Sequence, residues 1–496
     1  MTDVLYLFVF LFILSGLVAA ADIIRRRLHW SSESTRKFVH IITGIVVVFT
    51  PFVLNSMWPM VALGTLFAVM DYLGVRKNWF HGMHGTSRSS LGTVYYPISF
   101  VILVFLFWNK GQLVLIISML IMAIADALAA MVGERYGKHF YMNMGLEKKS
   151  IPGSLAMLLS SLLIILGGLV LGKSMLPSEL TVLEIVLITM IVGFVATACE
   201  MLSLNGSDNF TVPLGSAFVL HYLLLYPAST PVFAIGMGMS LLIALVSWRA
   251  RFLTPSGSVG AFLLGTLVFG MGSWAFTVPM LTFFILSSLV SKAGKRKKAA
   301  LVNVFEKSGE RDIWQVLANG GIPGLLVMLW GFSPLGLWYN MYIAALAAVM
   351  ADTWGTEIGV LARQKPISVL TLKPVPMGTS GGITLMGTLG GMLGAAILIA
   401  STVWSQGRNA SLQITGSGFL ILLLAAVFAS FVDSLLGATV QVRYKCGSCG
   451  KITEKKIHCG VPAKQDRGYR WINNDLVNVL CAVSGALVVF LFGLFS

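Results

Sequence analysis

The chain has 496 residues, of which 56% are hydrophobic and only 11% are charged, and its mean hydropathy is +0.85. Soluble globular domains carry about 25% charged residues, so this composition excludes an ordinary soluble protein and predicts an all-α, polytopic integral membrane protein. A formal charge of +15 can indicate nucleic-acid binding, but here the basic residues form short clusters between apolar runs. Because such clusters fix topology and contact lipid headgroups, we expect membrane lipid and no nucleic acid as a partner.

The first apolar run, residues 4–21, is followed by three arginines at 25–27. A cleaved signal peptide has the reverse charge order, so we predict an uncleaved first helix whose N-terminus is outside the cell. Apolar runs recur about sixteen times along the chain and predict about sixteen transmembrane helices. Short spans often mark sites in membrane proteins, and three of these runs are short: 93–108, 211–227 and 258–273.

Positive charge is distributed unevenly between the predicted loops. With the N-terminus outside, all Lys and Arg residues except Lys110, Lys173 and Arg408 fall in loops on the cytoplasmic side. The positive-inside rule therefore predicts a multi-pass protein of the cell membrane with both termini on the non-cytoplasmic side. Residues 248–257 are polar, basic and contain Pro and Gly, as a linker does, and they predict two helical bundles, 1–247 and 258–496.

The two halves repeat one layout. In each, an Asp that follows Ala lies at the cytoplasmic end of a span and precedes a Gly by seven residues: Asp126 with Gly133, and Asp352 with Gly359. A basic residue and a loop of Gly and Ser follow, namely Lys149, Ser150, Gly153 and Ser154 in one half and Lys373, Gly378, Ser380, Gly381 and Gly382 in the other. Each half then offers an acidic group at the end of a later span. In the first half this is Glu200, followed by Asp208 with Asn209, and in the second it is Asp433, followed by Asn474 and Asp475. The ordered series indicates an internal repeat.

These residues suit a nucleotide site on the cytoplasmic face. A carboxylate inside a membrane is costly unless it is paired, hydrated or bound to a cation, and Asp126, Asp352, Glu357 and Asp433 are therefore predicted ligands of Mg²⁺. Backbone N–H groups of glycine loops cradle phosphate, and Lys or Arg neutralises its charge. The candidates for that neutralisation are Arg88, Lys149, Arg311 and Lys373. The simpler alternative is that the aspartates only cap helices or reach towards the headgroups.

Two further polar patterns precede spans. Gly92 and Thr93 belong to a loop of hydroxyl and aromatic residues that suits phosphate or a lipid headgroup, although an ordinary turn with an aromatic belt has the same composition. Arg36, Lys37 and His40 suit either a topological anchor or an acid–base group. In the second half, Arg311, Gln315 and Asn319 recur at i, i+4 and share one helix face, which we expect to look into a cavity.

A cysteine-rich loop at 441–472 contains Cys446, Cys449, His458 and Cys459. A C-x-x-C pair with two more ligands within ten residues can supply the four ligands of a tetrahedral Zn²⁺. The loop is predicted on the reducing side of the membrane, so disulfides are not expected. Structural zinc, free thiols and redox catalysis remain the open alternatives.

Residues 30–225 resemble the dolichol kinase and phytol kinase family. The resemblance is carried by Arg36-Lys37 with His40, Gly92-Thr93 through Pro97, Asp126 with Gly133, Lys149-Ser150 with Gly153-Ser154, and Asp208-Asn209 with Pro213. It implies transfer of a phosphoryl group, often from CTP, to a long-chain isoprenoid alcohol. One departure is Pro152, where the family usually has Glu directly before the Gly-Ser pair.

Residues 254–495 resemble the phytyl-phosphate kinase family, which is associated with adding a second phosphate to an isoprenoid monophosphate. The matching stretches are Arg311-Asp312 through Asn319-Gly320, Asp352 through Gly359, the loop from Gly378 to Gly382, Asp433 through Gly437, and Asn473-Asn474-Asp475. Together the resemblances imply a fusion of two kinases that needs Mg²⁺ and CTP or another nucleoside triphosphate, and that acts first on an isoprenoid alcohol and then on its monophosphate.

The resemblance also implies roles for individual residues. The predicted catalytic residues are Arg88, Asp126, Lys149, Arg311, Asp352, Glu357 and Asp433, and the predicted cofactor-binding residues are Gly92, Thr93, Gly133, Ser150, Gly153, Ser154, Asp208, Asn209, Asn319, Lys373, Gly378, Ser380, Gly381, Gly382, Asn474 and Asp475. Two other functions fit the sequence: a cytidylyltransferase that forms a CDP-lipid, and a secondary transporter built from duplicated bundles. The gathering of polar groups on one side, rather than at the bilayer midplane, favours the kinase.

Overall fold

The computed structural model of the chain describes residues 2–29, 32–77, 91–138, 140–144, 147–293, 309–362, 364–405 and 412–493. Within these ranges the chain is mainly helical, and each of the sixteen predicted apolar runs falls mainly in helix. Thirteen of the described helices are long and apolar enough to cross a membrane. These findings confirm the prediction of an all-α, polytopic membrane protein, whereas the side on which each terminus lies stays a prediction.

The chain divides into two compact units, residues 1–234 and 235–496. This division lies within a helix that ends at Arg249, and the predicted domains 1–247 and 258–496 with a linker at 248–257 stay a prediction. The helices of the first unit are α1 (Thr2–Leu28), α2 (Ser32–Val48), α3 (Thr50–Val53), α4 (Trp58–Lys77), α5 (Gly92–Phe107), α6 (Gln112–Leu120), α7 (Asp126–Tyr136), α8 (Ile151–Leu171), α9 (Val182–Met201), α10 (Asp208–Leu225) and the start of α11 (Thr230–Arg249).

The second unit continues from α11 and contains the remaining helices. They are α12 (Pro255–Lys292), α13 (Ile313–Phe332), α14 (Gly336–Leu361), α15 (Leu385–Ser405), α16 (Gly416–Thr439) and α17 (Asn474–Gly493). Helix α12 holds two of the predicted spans, because the backbone leaves helical geometry at Ser273 (φ 54°, ψ −155°). A positive φ at a residue other than glycine is uncommon, and here it joins two helical segments at a kink.

A stretch of π-helix interrupts the most buried helix of the first unit. It covers Ile121–Ala125 between α6 and α7, and four of its five residues are buried. Single π-turns occur frequently at functional sites because they shift the register of the side chains that follow. Asp126 is the first residue after this turn, so the irregular backbone determines where its carboxyl group points.

Small residues bring the helices of the second unit into close contact around α14. A Cβ atom added at Gly391 of α15 would lie 2.5 Å from the carbonyl oxygen of Ala351, and one added at Gly485 of α17 would lie 2.8 Å from that of Ala344. Lipid gives helices no hydrophobic reason to associate, so membrane bundles rely on such close backbone packing. Asp352 therefore lies on a helix that is fixed by neighbours on more than one side.

Among the described residues, the strands are short and lie in the connections between helices. The first unit has the hairpin β1 (Phe140–Met144) and β2 (Glu147–Ser150), and the second has the pair β3 (Ile367–Ser368) and β4 (Gly382–Ile383). The predicted cysteine-rich loop is built on β5 (Arg443–Lys445), β6 (Ile452–Thr453), β7 (Ile457–His458), β8 (Val461–Pro462) and β9 (Lys464–Arg467). Strands β6, β5 and β9 form one small sheet, and β7 pairs with β8.

Candidate functional site

The first unit gathers carboxylates around the start of α7. Four charged side chains act on the carboxyl group of Asp126: Asp208, Glu200, Lys149 and Arg36. These residues come from the start of α10, the end of α9, β2 and α2, so four separate segments converge on Asp126. The sequence predicted Asp126, Lys149 and Asp208 as site residues, and the structure brings these three together.

The side chain of Lys149 donates hydrogen bonds to Glu200 and Ser203. Its ammonium nitrogen lies 2.7 Å from Oε1 of Glu200 and 2.8 Å from Oγ of Ser203, and the side chains of Lys149 and Glu200 are each 10% exposed. The other oxygen, Oε2 of Glu200, is buried and has no hydrogen-bond partner among the described residues. The sequence analysis named Glu200 as part of the repeated layout but did not assign it to the site. Glu200 adds a carboxylate oxygen that is oriented by Lys149.

The Gly and Ser residues of the first unit form a tight joint between α7 and α8. Ser150 caps α8, with its Oγ accepting a hydrogen bond from the amide of Gly153 (3.4 Å). A Cβ atom added at Gly153 would lie 3.2 Å from the Cα atom of Gly133. Pro152 fits the first turn of α8, where a missing N–H costs nothing, and Ser154 shares a hydrogen bond of 2.8 Å with Tyr141. Packing thus explains both glycines, and cofactor binding by these residues stays a prediction.

Several buried polar atoms near this cluster have no hydrogen-bond partner within the part of the chain that the structure describes. They are Oγ1 of Thr93, Oη of Tyr96 and Oδ1 of Asn209. The Oδ1 atom of Asp208 accepts a hydrogen bond from the side chain of Asn209 (3.0 Å). Buried polar groups are normally paired, so these orphaned atoms favour a polar ligand here. Gly92 begins α5, and Arg88 lies outside the described residues.

His40 is tied to the π-turn. Its Nε2 atom lies 3.1 Å from the carbonyl oxygen of Met122, and its ring packs edge-on against Tyr96 with centroids 4.4 Å apart. Because a carbonyl can only accept, Nε2 carries the proton. The charge of Asp208 also acts on His40, so α2 contributes to the same site.

The second unit brings two acidic side chains into contact. The carboxyl groups of Asp352 on α14 and Asp433 on α16 lie within hydrogen-bonding reach of each other. Oδ2 of Asp433 is buried and lacks a partner among the residues described. Two carboxylates in contact must share a proton or bind a cation, because both cannot stay charged at close range otherwise. The sequence predicted both residues as Mg²⁺ ligands, and the structure brings them together.

The glycine loop, residues 378–382, lies against the last turns of α16. Gly381 has φ +81°, and a Cβ atom added there would collide with Ala438 and lie 2.7 Å from the carbonyl oxygen of Ser434. Only glycine adopts this conformation and tolerates this approach without strain. Ser434 directly follows Asp433, so the loop is held beside the carboxyl pair. Lys373, by contrast, is exposed before this loop.

Glu454 is a third acidic residue near the carboxyl pair. Its Oε1 atom accepts hydrogen bonds from Oγ of Ser380 and Nε2 of Gln441, both 3.0 Å long, and its charge acts on Asp433. Glu454 follows β6 inside the cysteine-rich loop. The sequence analysis missed it, because no periodicity connects an irregular loop to a partner 74 residues away.

Arg311, Gln315 and Asn319 line an apolar pocket, which confirms that these side chains look into a cavity. The predicted common helix face holds only for Gln315 and Asn319, because Arg311 precedes the N-cap Asp312 of α13. The pocket has an empty volume of about 840 Å³, including its open mouth. Burial lowers the pKa of the Arg311 guanidinium, and the carboxylate of Glu357 opposes that shift. The walls of the pocket come from α11, α12 and α13: Met239, Ile243, Leu264, Val268, Phe269, Met280, Leu281, Phe283 and Phe284 are among them.

Helix α17 connects the pocket to the carboxyl pair. Oδ1 of Asn319 accepts a hydrogen bond of 3.3 Å from Nδ2 of Asn478. One turn further along, Cys481 is buried and the charges of Asp352 and Asp433 act on it. One turn of helix is about 5.4 Å, so the polar end of the pocket lies close to the two aspartates. The predicted residues Asn474 and Asp475 begin this helix.

The cysteine-rich loop gathers four metal-ligand side chains. Ligand atoms of Cys446, Cys449, His458 and Cys459 all lie within 4.8 Å of one another. Nδ1 of His458 lies 3.5 Å from the sulfur of Cys449 and 3.1 Å from that of Cys459. A hydrogen bond from the Cys449 amide is the main cause that lowers the pKa of the Cys446 thiol to about 6. Sequence spacing and structure thus agree on the same four residues.

Comparison with known proteins relates this chain to membrane proteins and lipid kinases. The family described as "Integral membrane protein DUF92" matches residues 238–486. "Protein PGR" of Arabidopsis thaliana is 31% identical over 276 residues, which cover 50% of this chain and 95% of that protein. "Phytol kinase" of Synechocystis sp. is 34% identical over 210 residues, 42% of this chain and 86% of the relative.

The name of a third relative specifies the nucleotide CTP. "CTP-dependent diacylglycerol kinase 1" of Eremothecium gossypii is 29% identical over 198 residues, which cover 38% of this chain and 58% of that protein. No solved structure matches this chain significantly.

Proposed function

The chain belongs to the DUF92 family of integral membrane proteins, and on that premise we propose that it is a bifunctional membrane lipid kinase. Its first unit phosphorylates an isoprenoid alcohol, of the phytol, geranylgeraniol or farnesol type, to the monophosphate. Its second unit phosphorylates the monophosphate to the diphosphate. The similarity to a phytol kinase and to a CTP-dependent diacylglycerol kinase supports the reaction class, and the second name supports CTP as the phosphate donor.

One observation carries the proposal: in the second unit, α17 bonds through Asn478 to Asn319 of the apolar pocket and places Cys481 near the two contacting carboxyl groups. The isoprenoid tail occupies the pocket between α11, α12 and α13. The phosphate of the substrate lies at the polar end of the pocket, where Arg311 neutralises its charge. There Asn319 accepts a hydrogen bond from Asn478 of α17, the helix that runs on towards the aspartates. The nucleotide lies at Asp352 and Asp433 beside the glycine loop. The amides of Thr379 and Gly382 donate within this segment, and the other N–H groups of the loop suit phosphate.

The carboxyl groups fit a divalent cation. The carboxyl groups of Asp352 and Asp433 lie within hydrogen-bonding reach, and Oδ2 of Asp433 has no hydrogen-bond partner among the described residues. Carboxylate oxygens are the ligands that Mg²⁺ prefers. In the first unit, Asp126, Asp208 and Oε2 of Glu200 form the corresponding group. When bound, Mg²⁺ neutralises the phosphate oxygens of the nucleotide. The protein's own residues then orient the acceptor oxygen and exclude water from the site.

Linking the two activities in one chain gives a kinetic advantage. The intermediate monophosphate is anchored in the membrane by its tail, and we propose that both sites face the cytoplasm. A second site on the same chain therefore meets the intermediate at a raised effective concentration.

The two activities are tested separately in purified protein reconstituted in lipid nanodiscs. We expect wild type, given CTP labelled at the γ-phosphate and unlabelled phytol, to form labelled phytyl monophosphate and diphosphate. Each transfer releases CDP. Asp126→Ala abolishes phosphorylation of phytol but retains that of phytyl monophosphate, and Asp352→Ala does the reverse. Asp71→Ala, which removes an aspartate from α4 of the first unit, retains both activities.

Three results would contradict the proposal. Absence of labelled lipid from any alcohol or monophosphate excludes the kinase. Release of pyrophosphate with a CDP-lipid product identifies a cytidylyltransferase. Nucleotide-independent uptake of an anionic solute by proteoliposomes, without phosphoryl transfer, identifies a transporter.

A further inference from the structure

The cysteine-rich loop is organised around Glu454. Two of the clustered ligands, Cys446 and Cys449, precede this residue, and the other two, His458 and Cys459, follow it. The first pair lies in the turn between β5 and β6, where the amide of Gly450 donates to the carbonyl of Cys446 (3.0 Å). The second pair ends β7 and begins the turn to β8. A group that binds all four side chains therefore fixes the segment between them at both ends.

The geometry of the four ligand atoms suits one tetrahedral ion. Zn–S bonds of about 2.3 Å require sulfur atoms roughly 3.8 Å apart, and the ligand atoms here all lie within 4.8 Å of one another. Cys446 is 2% exposed and His458 8%, whereas Cys449 and Cys459 are exposed. Three thiolates and one imidazole form a donor set typical of structural zinc, since no position is left open for a substrate.

The segment held between the ligands contacts the glycine loop that lies beside the carboxyl pair. Thr453, next to Glu454, is 1% exposed and pairs with Tyr444 across the small sheet. Glu454 itself receives hydrogen bonds from Ser380 of the glycine loop and from Gln441 after α16. A short chain of contacts thus links the ligand cluster to the loop that packs beside Asp433.

We propose that Cys446, Cys449, His458 and Cys459 bind one Zn²⁺ ion, which holds Glu454 against the glycine loop of the second unit. The ion takes no part in phosphoryl transfer. Glu454 is a positioning residue: it acts through Ser380 on the loop that binds nucleotide. This last role depends on the proposed kinase function, whereas the zinc site does not.

Zinc binding is tested by metal analysis of protein purified in detergent and dialysed against a weak chelator. Wild type retains about one zinc per chain. Cys449→Ser and Cys459→Ser lose it, and Cys199→Ser, which replaces a cysteine of the first unit, keeps it. A wild-type protein that holds no zinc, or that holds iron in its place, overturns the proposal.

The positioning role is tested by limited proteolysis and kinetics. Trypsin cleaves after Lys451, Lys455 and Lys456 at least ten times faster once a strong chelator has removed the ion, because the segment is released at both ends. Glu454→Ala retains zinc but raises KM for the nucleotide in monophosphate phosphorylation about tenfold, with a smaller effect on kcat, and Glu454→Gln recovers part of this loss. Unchanged cleavage rates after zinc removal, or an unchanged KM in Glu454→Ala, would refute the link even if both kinase activities are present.

Discussion

The ammonium group of Lys149 lies 2.7 Å from Oε1 of Glu200, and both side chains are 90% shielded from solvent. A lysine that is already paired with a carboxylate neutralises a phosphate poorly. Its main effect is to hold Glu200, whose second oxygen Oε2 is buried without a partner among the described residues and whose charge acts on Asp126. From this pairing we expect Lys149 to orient Glu200 rather than to contact phosphate, the role that the sequence analysis predicted.

We expect Lys149→Met to destabilise the first unit by about 3–5 kcal/mol, because it leaves the charge of Glu200 buried without a partner. The double substitution Lys149→Met/Glu200→Gln removes both charges and recovers most of that stability, but not the phosphorylation of the alcohol. Thermal unfolding in detergent, arranged as a double-mutant cycle, measures the coupling. Lys173→Met removes an exposed lysine of the same unit and serves as the control. A double variant as unstable as the single one contradicts the pairing.

Gly381→Ala should weaken the second activity selectively. The residue has φ +81°, a conformation that costs other residues about 1–2 kcal/mol, and its Cβ would also meet Ala438. We expect at least a tenfold loss of monophosphate phosphorylation, with alcohol phosphorylation retained. Gly416→Ala, at the start of α16 where nothing lies within 4 Å of an added Cβ, should leave both rates unchanged. Equal rates in the two variants would argue against a role for the glycine loop.

Arg311→Gln should raise KM for the isoprenoid monophosphate. Hydrogen bonds to charged groups contribute about 1.5–3 kcal/mol, which corresponds to a roughly 10- to 150-fold increase in KM. The fold is expected to persist, because the structural bonds of this residue are made by its backbone: its carbonyl accepts from Thr254 and its amide donates to Phe252. Lys292→Gln is the control, since that side chain contacts the carbonyl of Ala250 and lies outside the pocket. Steady-state kinetics with Arg311→Gln showing an unchanged KM would remove Arg311 from the site.

Ala261→Phe should shorten the preferred substrate. Ala261 lines the apolar pocket, and a phenyl ring there occupies space that a long tail needs. We expect the rate on phytyl monophosphate to fall at least tenfold relative to that on farnesyl monophosphate. Ile285→Phe, on the same helix at a position 50% exposed, should leave the ratio unchanged. If Ala261→Phe lowers both rates equally, the pocket does not hold the tail.

The spanning helices could be predicted from sequence because the bilayer imposes their length and leaves few alternatives for the backbone. The alignment of Gln315 with Asn319 could be predicted for a related reason, since the helical period fixes which side chains share a face. Arg311 precedes α13 and lines the same pocket from outside the helix. The likeness between the halves also identified Asp352 and Asp433, which do come into contact.

Contacts made by irregular segments could not be predicted in this way. Glu454 reaches Ser380 through a loop whose path depends on two small hairpins, and no periodic pattern reports such a path. Gly133 and Gly153 illustrate a second difficulty. A glycine needed for helix packing and one needed for phosphate look alike in a sequence, and only the structure shows that these two face each other.

The backbone contacts of α14 with α15 and α17 limit how a lipid can reach the second site. Helices whose carbonyl groups lie this near a neighbour's glycine, as at Ala351 and Gly391, cannot separate to admit a long tail without breaking extensive packing. This packing holds Asp352, the member of the carboxyl pair that α14 carries, in place. The lining of the pocket comes instead from α11, α12 and α13, and α12 breaks at Ser273, between its lining residues Phe269 and Thr277. We therefore expect a long tail to enter beside that break.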